Sequence, residues 1–246
     1  AWCWKAGGAA VSNSDGSITS SISANQECGF SIVTYTGTGS AATIGHGLGK
    51  TPKLIIVKNR TTEQDWFVNN GMIFNEYGKY YKLSSSSGSD ASDTNVFPNT
   101  APTSTVFSVG TDNAVNGNSD TYVAYVWSEI PGFSQFGYWT GNGSTDGTYV
   151  YTGFTPRMII YRKKSDENWH ILDTKRDPLN PNKLGLDPNL SNAEADDSNL
   201  SLDILGNGFK VKSSHSTANT SGTQYFYYTW AEKPGFTNFD TMPNGR

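Results

Sequence analysis

The sequence is poor in the residues that mark several classes of protein. It contains two cysteines and three histidines in 246 residues. Two cysteines do not make a disulfide framework, and the sequence leaves open both a Cys3–Cys28 bridge and two free thiols. The histidines form no His-x-His or His-Glu-x-x-His pattern, so a transition-metal site is not expected. We expect neither a metal nor a cofactor.

Long apolar runs and blocks of like charge are also missing. No segment approaches the roughly 18–20 apolar residues that span a bilayer, so membrane insertion is not expected. The first residues do not combine a charged segment with an apolar one, and a secretion signal is not expected there. The 18 basic and 22 acidic residues give a net charge of −4 without a basic stripe, which argues against nucleic acid as a partner.

Glycine and aromatic residues are abundant instead. The sequence holds 26 glycines, and aromatic residues make up 13% of it. Short apolar or alternating segments recur at intervals of about 8–15 residues and are separated by turn-forming residues. No stretch keeps a helical period for three turns. This pattern predicts an all-β protein built from β-sandwich, jelly-roll-like domains.

A duplicated stretch organises the chain. Residues 121–136 (TYVAYVWSEIPGFSQF) return as residues 224–239 (QYFYYTWAEKPGFTNF). The period of roughly 100 residues is too long for a propeller blade or a solenoid coil and suits complete domains in tandem. The chain opens on Ala1-Trp2-Cys3-Trp4, in which Trp4 stands in the place of Trp127.

The duplication predicts the domain boundaries. Residues 1–28 are expected to hold the terminal strand of a preceding repeat, followed by a Gly/Ser-rich linker or loosely paired ribbon that is not part of a domain core. Residues 29–130 form the first β-sandwich repeat, and residues 131–246 form the second together with the start of a third. Strands are predicted at 30–36, 53–58, 65–68, 105–109 and 122–127, and then at 133–138, 157–161, 168–171, 202–205, 209–212 and 225–230.

Residues that occur in only one of the two copies are the candidates for binding a ligand, since shared residues most simply serve the common fold. By this test the pairs Trp66/Trp169 and Trp127/Trp230 belong to packing. Exposed aromatic rings beside Asn, Asp and Lys are typical of carbohydrate sites, which combine ring stacking with hydrogen bonds. Plain surface tyrosines are the alternative. The predicted ligand-binding residues are Trp139, Tyr149, Tyr151, His170, Asp173 and Arg176.

No catalytic residues are predicted. His170-x-x-Asp173 has the composition of an acid–base pair, but strand alternation sends the two side chains to opposite faces and no Gly-x-Ser-x-Gly elbow accompanies them. Acidic residues at Glu194, Asp196 and Asp197 lack the spacing of a calcium loop and are read as a solvated loop. We expect a protein that is not an enzyme.

Several motifs together resemble a known repeat domain. They are AWCWKAGG (1–8), GFSIVTYTGTG (29–39), GHGLGKTPKLIIVKNR (45–60), PGFSQFGYWTGNGSTDGTYVYTGF (131–154), NWHILDTKRDPLNP (168–181) and LDILGNGFKV (202–211). The chain resembles a repeat that recurs in the C-terminal part of large virion proteins of marine, cyanophage-like tailed bacteriophages. The resemblance implies a tail fibre or another virion surface component without an established activity.

Together with this resemblance, the sequence predicts a structural or adhesion module of a virion. Its expected location is extracellular, on the virion surface, in contact with host surface glycan. Its expected partners are other virion subunits, including further copies of the same chain, and host cell-surface polysaccharide. A second interpretation is an assembly module without a ligand. Residues 1–4 would then add a strand to a neighbouring subunit and drive polymerisation or trimerisation. A third is a polysaccharide depolymerase.

Overall fold

The computed structural model describes residues 3–83, 91–165 and 167–233. The predicted start of a third repeat lies almost entirely outside these residues, as do Ala1 and Trp2. The chain divides into two compact units, Ala1–Glu129 and Ile130–Arg246. Both units consist almost wholly of antiparallel strands, which confirms the all-β class.

The first unit contains ten strands and two one-turn helices among the described residues. They are β1 (Val11–Asn13), β2 (Ser20–Asn25), β3 (Phe30–Thr36), β4 (Ala42–Gly45), β5 (Leu54–Asn59), β6 (Phe67–Asn69), α1 (Gly71–Phe74), β7 (Lys79–Lys82), β8 (Ala91–Ser92), β9 (Val106–Val109), α2 (Asn113–Asn116) and β10 (Thr121–Trp127).

The second unit contains nine described strands and a 3-10 turn at Ser198–Leu200. The strands are β11 (Ser134–Thr140), β12 (Tyr149–Tyr151), β13 (Met158–Lys163), β14 (His170–Asp173), β15 (Leu184–Gly185), β16 (Ala195–Asp196), β17 (Leu202–Leu205), β18 (Gly208–Val211) and β19 (Gln224–Trp230). The predicted strands therefore exist in both units, with ends that differ by a few residues.

The repeated aromatic segment forms the central strand of the main sheet in each unit. In the first unit the strand order is β1-β2-β3-β10-β5-β6-β7-β8, and the pair β4-β9 forms a separate two-stranded sheet. In the second unit the order is β11-β19-β13-β14, with a second sheet β12-β18-β17 and the small pair β15-β16. Thus β10 lies between β3 and β5, and β19 lies between β11 and β13.

Alternation along the strands sends apolar side chains into the core of each unit. In the first unit Val33, Val57 and Ala124 are fully buried and belong to one cluster with Ile44 and Phe107 of the two-stranded sheet. In the second unit the core cluster joins residues from its two larger sheets, namely Trp139, Val150, Ile159, Tyr161, Leu172, Leu202, Phe209, Val211, Tyr225 and Tyr227. Burial of such rings supplies much of the stabilisation available to a Gly/Ser-rich domain.

The expectation that residues 11–25 lie outside a domain core is wrong. β1 pairs with β2, and β2 pairs with β3, so these residues extend the main sheet. Ile18 and Ile22 are buried in the core. The Ser-rich composition hides this strand because ladder hydrogen bonds come from the main chain, while serines occupy positions that alternate with the few apolar ones.

The opening residues also differ from the prediction of a terminal strand. Cys3 to Gly7 contain no strand, and both cysteines are free thiols. The Trp4 ring instead packs on Phe30 and Trp127, with ring centroids 6.4 and 5.7 Å apart. Trp4 is therefore held by aromatic contacts within its own unit.

The sequence favours a hairpin of strands 202–205 and 209–212 with a type I′ turn at Asn207-Gly208; the hairpin is present, but its turn lies one residue earlier. Leu205 pairs with Gly208, so the two-residue turn is Gly206-Asn207 and not Asn207-Gly208. Neither turn residue has the positive φ that a type I′ turn requires. Because each register step of one residue exchanges the faces, this position of the turn decides which side chains of the hairpin face solvent.

Candidate functional site

The outer face of the sheet β12-β18-β17 carries the exposed tyrosines of the predicted site. Tyr149 is 44% exposed and Tyr151 is 63% exposed, whereas Val150 between them is buried in the core. Period-two alternation explains this pattern, because residues two apart on a strand share a face. The two rings therefore stand on the same solvent-facing side of β12.

Polar side chains continue this face across the sheet. Tyr149 is opposite Lys210 on β18, and Lys210 is opposite Asp203 on β17. Lys210 forms an ion pair with Asp146, and Lys212 Nζ lies 3.9 Å from Asp203 Oδ2. Adjacent strands are about 4.8 Å apart, so an aromatic ring, an ammonium group and a carboxylate follow one another in a row.

A turn residue anchors the first tyrosine. The Tyr149 hydroxyl donates to Asn207 Oδ1 at 2.8 Å. The Tyr149 side chain extends across Gly208 to reach Asn207. A Cβ added at Gly208 would lie 3.2 Å from the Tyr149 hydroxyl oxygen. We refer to the surface formed by Tyr149, Tyr151, Asp203, Asn207 and Lys210 as the tyrosine face.

Sequence reasoning missed three members of the tyrosine face, namely Asp203, Asn207 and Lys210. The signal was present in the hairpin, where Leu202 and Ile204 alternate with Asp203, and Phe209 and Val211 alternate with Lys210. Placing these polar residues beside the tyrosines required the pairing of β12 with β18, which joins segments about 60 residues apart and is not visible in a local pattern.

Trp139 does not belong to the tyrosine face, and its prediction as an exposed ligand platform is wrong. Its side chain is only 2% exposed. The ring stacks on Tyr225 with centroids 5.2 Å apart and planes inclined by 11°, and Nε1 donates to the Ala218 carbonyl at 3.1 Å. Alternation along β11 directs this residue into the core, where its ring packs.

Trp139 has a counterpart in the first unit that the sequence comparison missed. Tyr35 stacks on Tyr122 at 5.1 Å and 15°, and its hydroxyl donates to the Val115 carbonyl at 2.6 Å. Both arrangements join the same strand positions, since Tyr35 pairs with Tyr122 and Trp139 pairs with Tyr225 in their ladders. The alignment of the two sequence copies shifts by one residue at this point, so the comparison left Trp139 without a counterpart.

His170 is buried, and the carboxylate that its imidazole contacts is that of Asp187. His170 is 4% exposed, and its Nδ1 lies 2.7 Å from Asp187 Oδ1. The ring also contacts Tyr161, with centroids 5.2 Å apart. His170 is thus a core residue that orients the loop bearing Asp187, and it does not reach the tyrosine face.

Asp173 and Arg176 stabilise a turn. Asp173 is 2% exposed, and its Oδ1 accepts from the backbone N–H groups of Lys175 and Arg176 at 2.9 and 3.0 Å. The Arg176 guanidinium pairs with Asp173 and Glu194 and donates to the Ile171 carbonyl at 3.0 Å. Burial opposes the charge on Arg176, but its two carboxylate partners raise the pKa of the guanidinium.

The acidic loop near residue 196 is used in structural contacts. Asp196 lies 3.0 Å from Lys183 Nζ, and Asp197 Oδ1 accepts from the Asn199 N–H at the start of the 3-10 turn. Among the residues that the structure describes, no group of three or more His, Cys, Asp and Glu side chains is arranged to hold a metal ion. Within the same residues, no helix is long and apolar enough to cross a membrane.

His46 in the first unit is also structural. It is fully buried, its Nδ1 accepts from the Leu48 N–H at 3.2 Å, and its Nε2 lies 3.3 Å from the Thr103 carbonyl. Burial lowers the pKa of His46, while the Thr103 contact and the charge of Asp15 act in the opposite direction. A neutral imidazole therefore fits this position.

The described residues form an all-β protein whose second unit carries the tyrosine face. The chain belongs to the family described as a domain of unknown function, DUF7483, whose model matches residues 1–234. No curated protein matches it significantly.

One solved structure that it matches is the major capsid protein P2 from Bacteriophage PM2, with 11% sequence identity and a TM-score of 0.21. The match covers 84% of this chain and 100% of that chain. A TM-score of 0.21 does not define a shared fold.

Proposed function

We propose that the chain is a structural and adhesive module of a virion surface appendage, and that its tyrosine face binds host surface glycan. The setting is supported by the sequence motifs that resemble repeats of phage virion proteins. The binding role is supported by one observation above all. Two adjacent tyrosines stay exposed on one strand of a domain that buries most of its other rings.

The chemistry of the tyrosine face suits a carbohydrate. The apolar side of a sugar ring stacks on an aromatic ring, and its hydroxyls take up hydrogen bonds from fixed polar groups. Lys210 supplies donors, Asp203 supplies acceptors and the Asn207 amide supplies both. The mixture of one ammonium and one carboxylate favours a neutral or zwitterionic sugar over a strongly acidic one.

A binding role is also favoured over catalysis by the positions of the candidate residues. His170 and Asp173 make separate contacts, with Asp187 and with the turn at 174–176, and neither lies on the tyrosine face. We therefore propose a module without hydrolytic activity. The depolymerase interpretation predicts release of reducing ends from host polysaccharide, and we expect none.

A glycan array and a panel of bacterial surface polysaccharides test the binding role. We expect Tyr149→Ala and Tyr151→Ala each to weaken binding by roughly tenfold, because each removes one stacking ring. Tyr138→Ala is the matched control, since Tyr138 is another exposed tyrosine but lies on β11 of the other sheet. The proposal fails if no glycan binds, or if all three variants bind as the natural protein does.

A further inference from the structure

β12 lies at the edge of its sheet and directs main-chain groups outward. The Val211 N–H donates to the Thr148 carbonyl at 3.0 Å, and the Thr152 N–H donates to the Asn207 carbonyl at 2.9 Å. Because antiparallel ladders bond through alternate residues, the intervening positions Tyr149 and Tyr151 direct their N–H and C=O groups away from β18. Among the described residues, these four groups have no hydrogen-bond partner.

At the opposite edge of the same sheet, formed by β17, the outward main-chain groups have hydrogen-bond partners. The Asn180 side chain donates to the Ile204 carbonyl and accepts from the Ile204 N–H, both at 2.9 Å. Asn182 exchanges two main-chain hydrogen bonds with Leu202 at 2.7 and 2.9 Å. Within the described ranges, a loop therefore covers the β17 edge while the β12 edge has no paired strand, and unpaired edges associate readily with another strand.

The sequence of the open edge identifies its partner. Residues 147–153 read Gly-Thr-Tyr-Val-Tyr-Thr-Gly in both directions. If two copies of this strand pair antiparallel about Val150, Tyr149 of one copy is opposite Tyr151 of the other, twice. Such an arrangement is self-complementary under a two-fold axis, as an isologous interface requires.

We propose that two copies of the chain associate through an antiparallel β12–β12 ladder. The outward N–H and C=O groups of Tyr149 and Tyr151 then form four main-chain hydrogen bonds across the two-fold axis. The two three-stranded sheets become one six-stranded sheet, with the four tyrosine rings of the two copies on a common face. The ladder is short, so we expect a concentration-dependent dimer, strengthened where neighbouring copies are held together in a larger assembly.

This inference does not depend on glycan binding. The ladder uses main-chain groups at the strand edge, whereas the proposed glycan contact uses the ring faces and charged side chains of the tyrosine face. A protein that dimerises without binding sugar, or binds sugar as a monomer, would separate the two proposals.

Sedimentation velocity of the full chain over a wide concentration range tests the dimer. Tyr151→Pro removes an outward N–H without removing a hydrogen bond within the chain, and proline is tolerated at such edge positions. We expect it to weaken dimerisation by roughly tenfold, because each dimer loses two hydrogen bonds. Tyr151→Val is the matched control and keeps the N–H, so it should retain the ladder. A monomer at all concentrations, or a dimer unaffected by Tyr151→Pro, overturns the proposal.

Cysteine cross-linking tests the register and does not require the proline variant to fold. In a background with Cys3→Ser and Cys28→Ser, a mixture of Tyr149→Cys and Tyr151→Cys chains should form a mixed disulfide under mild oxidation, since directly opposite residues lie about 5.5 Å apart. Each variant alone should cross-link much more slowly. In those samples the two cysteines of a dimer occupy the same position in both copies, and such positions are diagonal neighbours in the ladder, farther apart than directly opposite residues. Equal rates in the mixture and in the separate samples would contradict the ladder.

Discussion

Trp139 lies flat against Tyr225 in the second unit, in the position that Tyr35 holds against Tyr122 in the first. In each pair the first ring also donates a hydrogen bond to a main-chain carbonyl, that of Ala218 or of Val115. The hydroxyls of Tyr122 and Tyr225 in turn accept from the N–H groups of Gly117 and Thr220 at 2.6 and 2.9 Å. These stacked pairs tie the central strand to the segment that precedes it.

Removal of the Trp139 ring should strongly destabilise the second unit. We expect Trp139→Ala to lower the free energy of unfolding by about 3–5 kcal/mol, because a large buried ring leaves a cavity. Urea unfolding followed by circular dichroism measures the change. Tyr151→Ala is the control and should stay within about 0.5 kcal/mol, since its ring is exposed. Equal effects of the two substitutions would show that Trp139 is not a core residue.

Stability should decline at high pH through the buried tyrosines. Burial raises the pKa of Tyr122 to about 12, with a smaller opposing effect from the Gly117 N–H. In the unfolded chain Tyr122 loses its proton near pH 10. The contribution of Tyr122 to stability is therefore fully present below pH 10 and is lost as pH rises toward 12. Thermal melts between these values should show a shallower decline for Tyr122→Phe. A parallel decline in both proteins would mean that another group dominates, and Tyr151→Phe serves as the exposed control.

His46 should make the first unit sensitive to acid. Burial lowers its pKa below the ordinary value of 6.5, so the unfolded chain binds a proton more readily than the folded one. The contribution of His46 to stability is therefore complete above pH 6.5 and is lost as pH falls below it. We expect His46→Gln to flatten the pH dependence of the melting temperature in this range. The same substitution at the exposed His215 is the control. A flattening in the His215 variant and not in the His46 variant would refute the assignment.

Asp173 should matter for stability and not for ligand binding. Asp173→Ala removes the acceptor for two N–H groups and leaves Arg176 with one of its two carboxylate partners. We expect a loss of about 2 kcal/mol in the free energy of unfolding. Glu194→Ala removes the more exposed partner and should cost less than about 1 kcal/mol. Glycan binding, measured on folded protein at saturating glycan, should be unchanged in both variants. A loss of binding in the Asp173 variant alone would show that Asp173 contributes to ligand binding.

The sequence alone established the all-β class, most of the strands and the role of the repeated aromatic segment. It could do so because alternation and turn chemistry are local, and the central strands keep both along their whole length. It missed eight of the nineteen described strands, most of them short, including β12. It missed β1 and β2 because serine at alternating positions hides a strand that is held by main-chain hydrogen bonds.

The tertiary structure decided which candidate residues are exposed. Trp139, His170, Asp173 and Tyr151 all occur near strands in the sequence, but only the pairing of those strands determines which side of a sheet faces the core. One residue of register moves every side chain to the other face. For this reason the sequence supplied the tyrosines and the palindrome of residues 147–153. Only the fold placed Asp203 and Lys210 beside them and, in the part of the chain that the structure describes, left β12 without a partner on its outer edge.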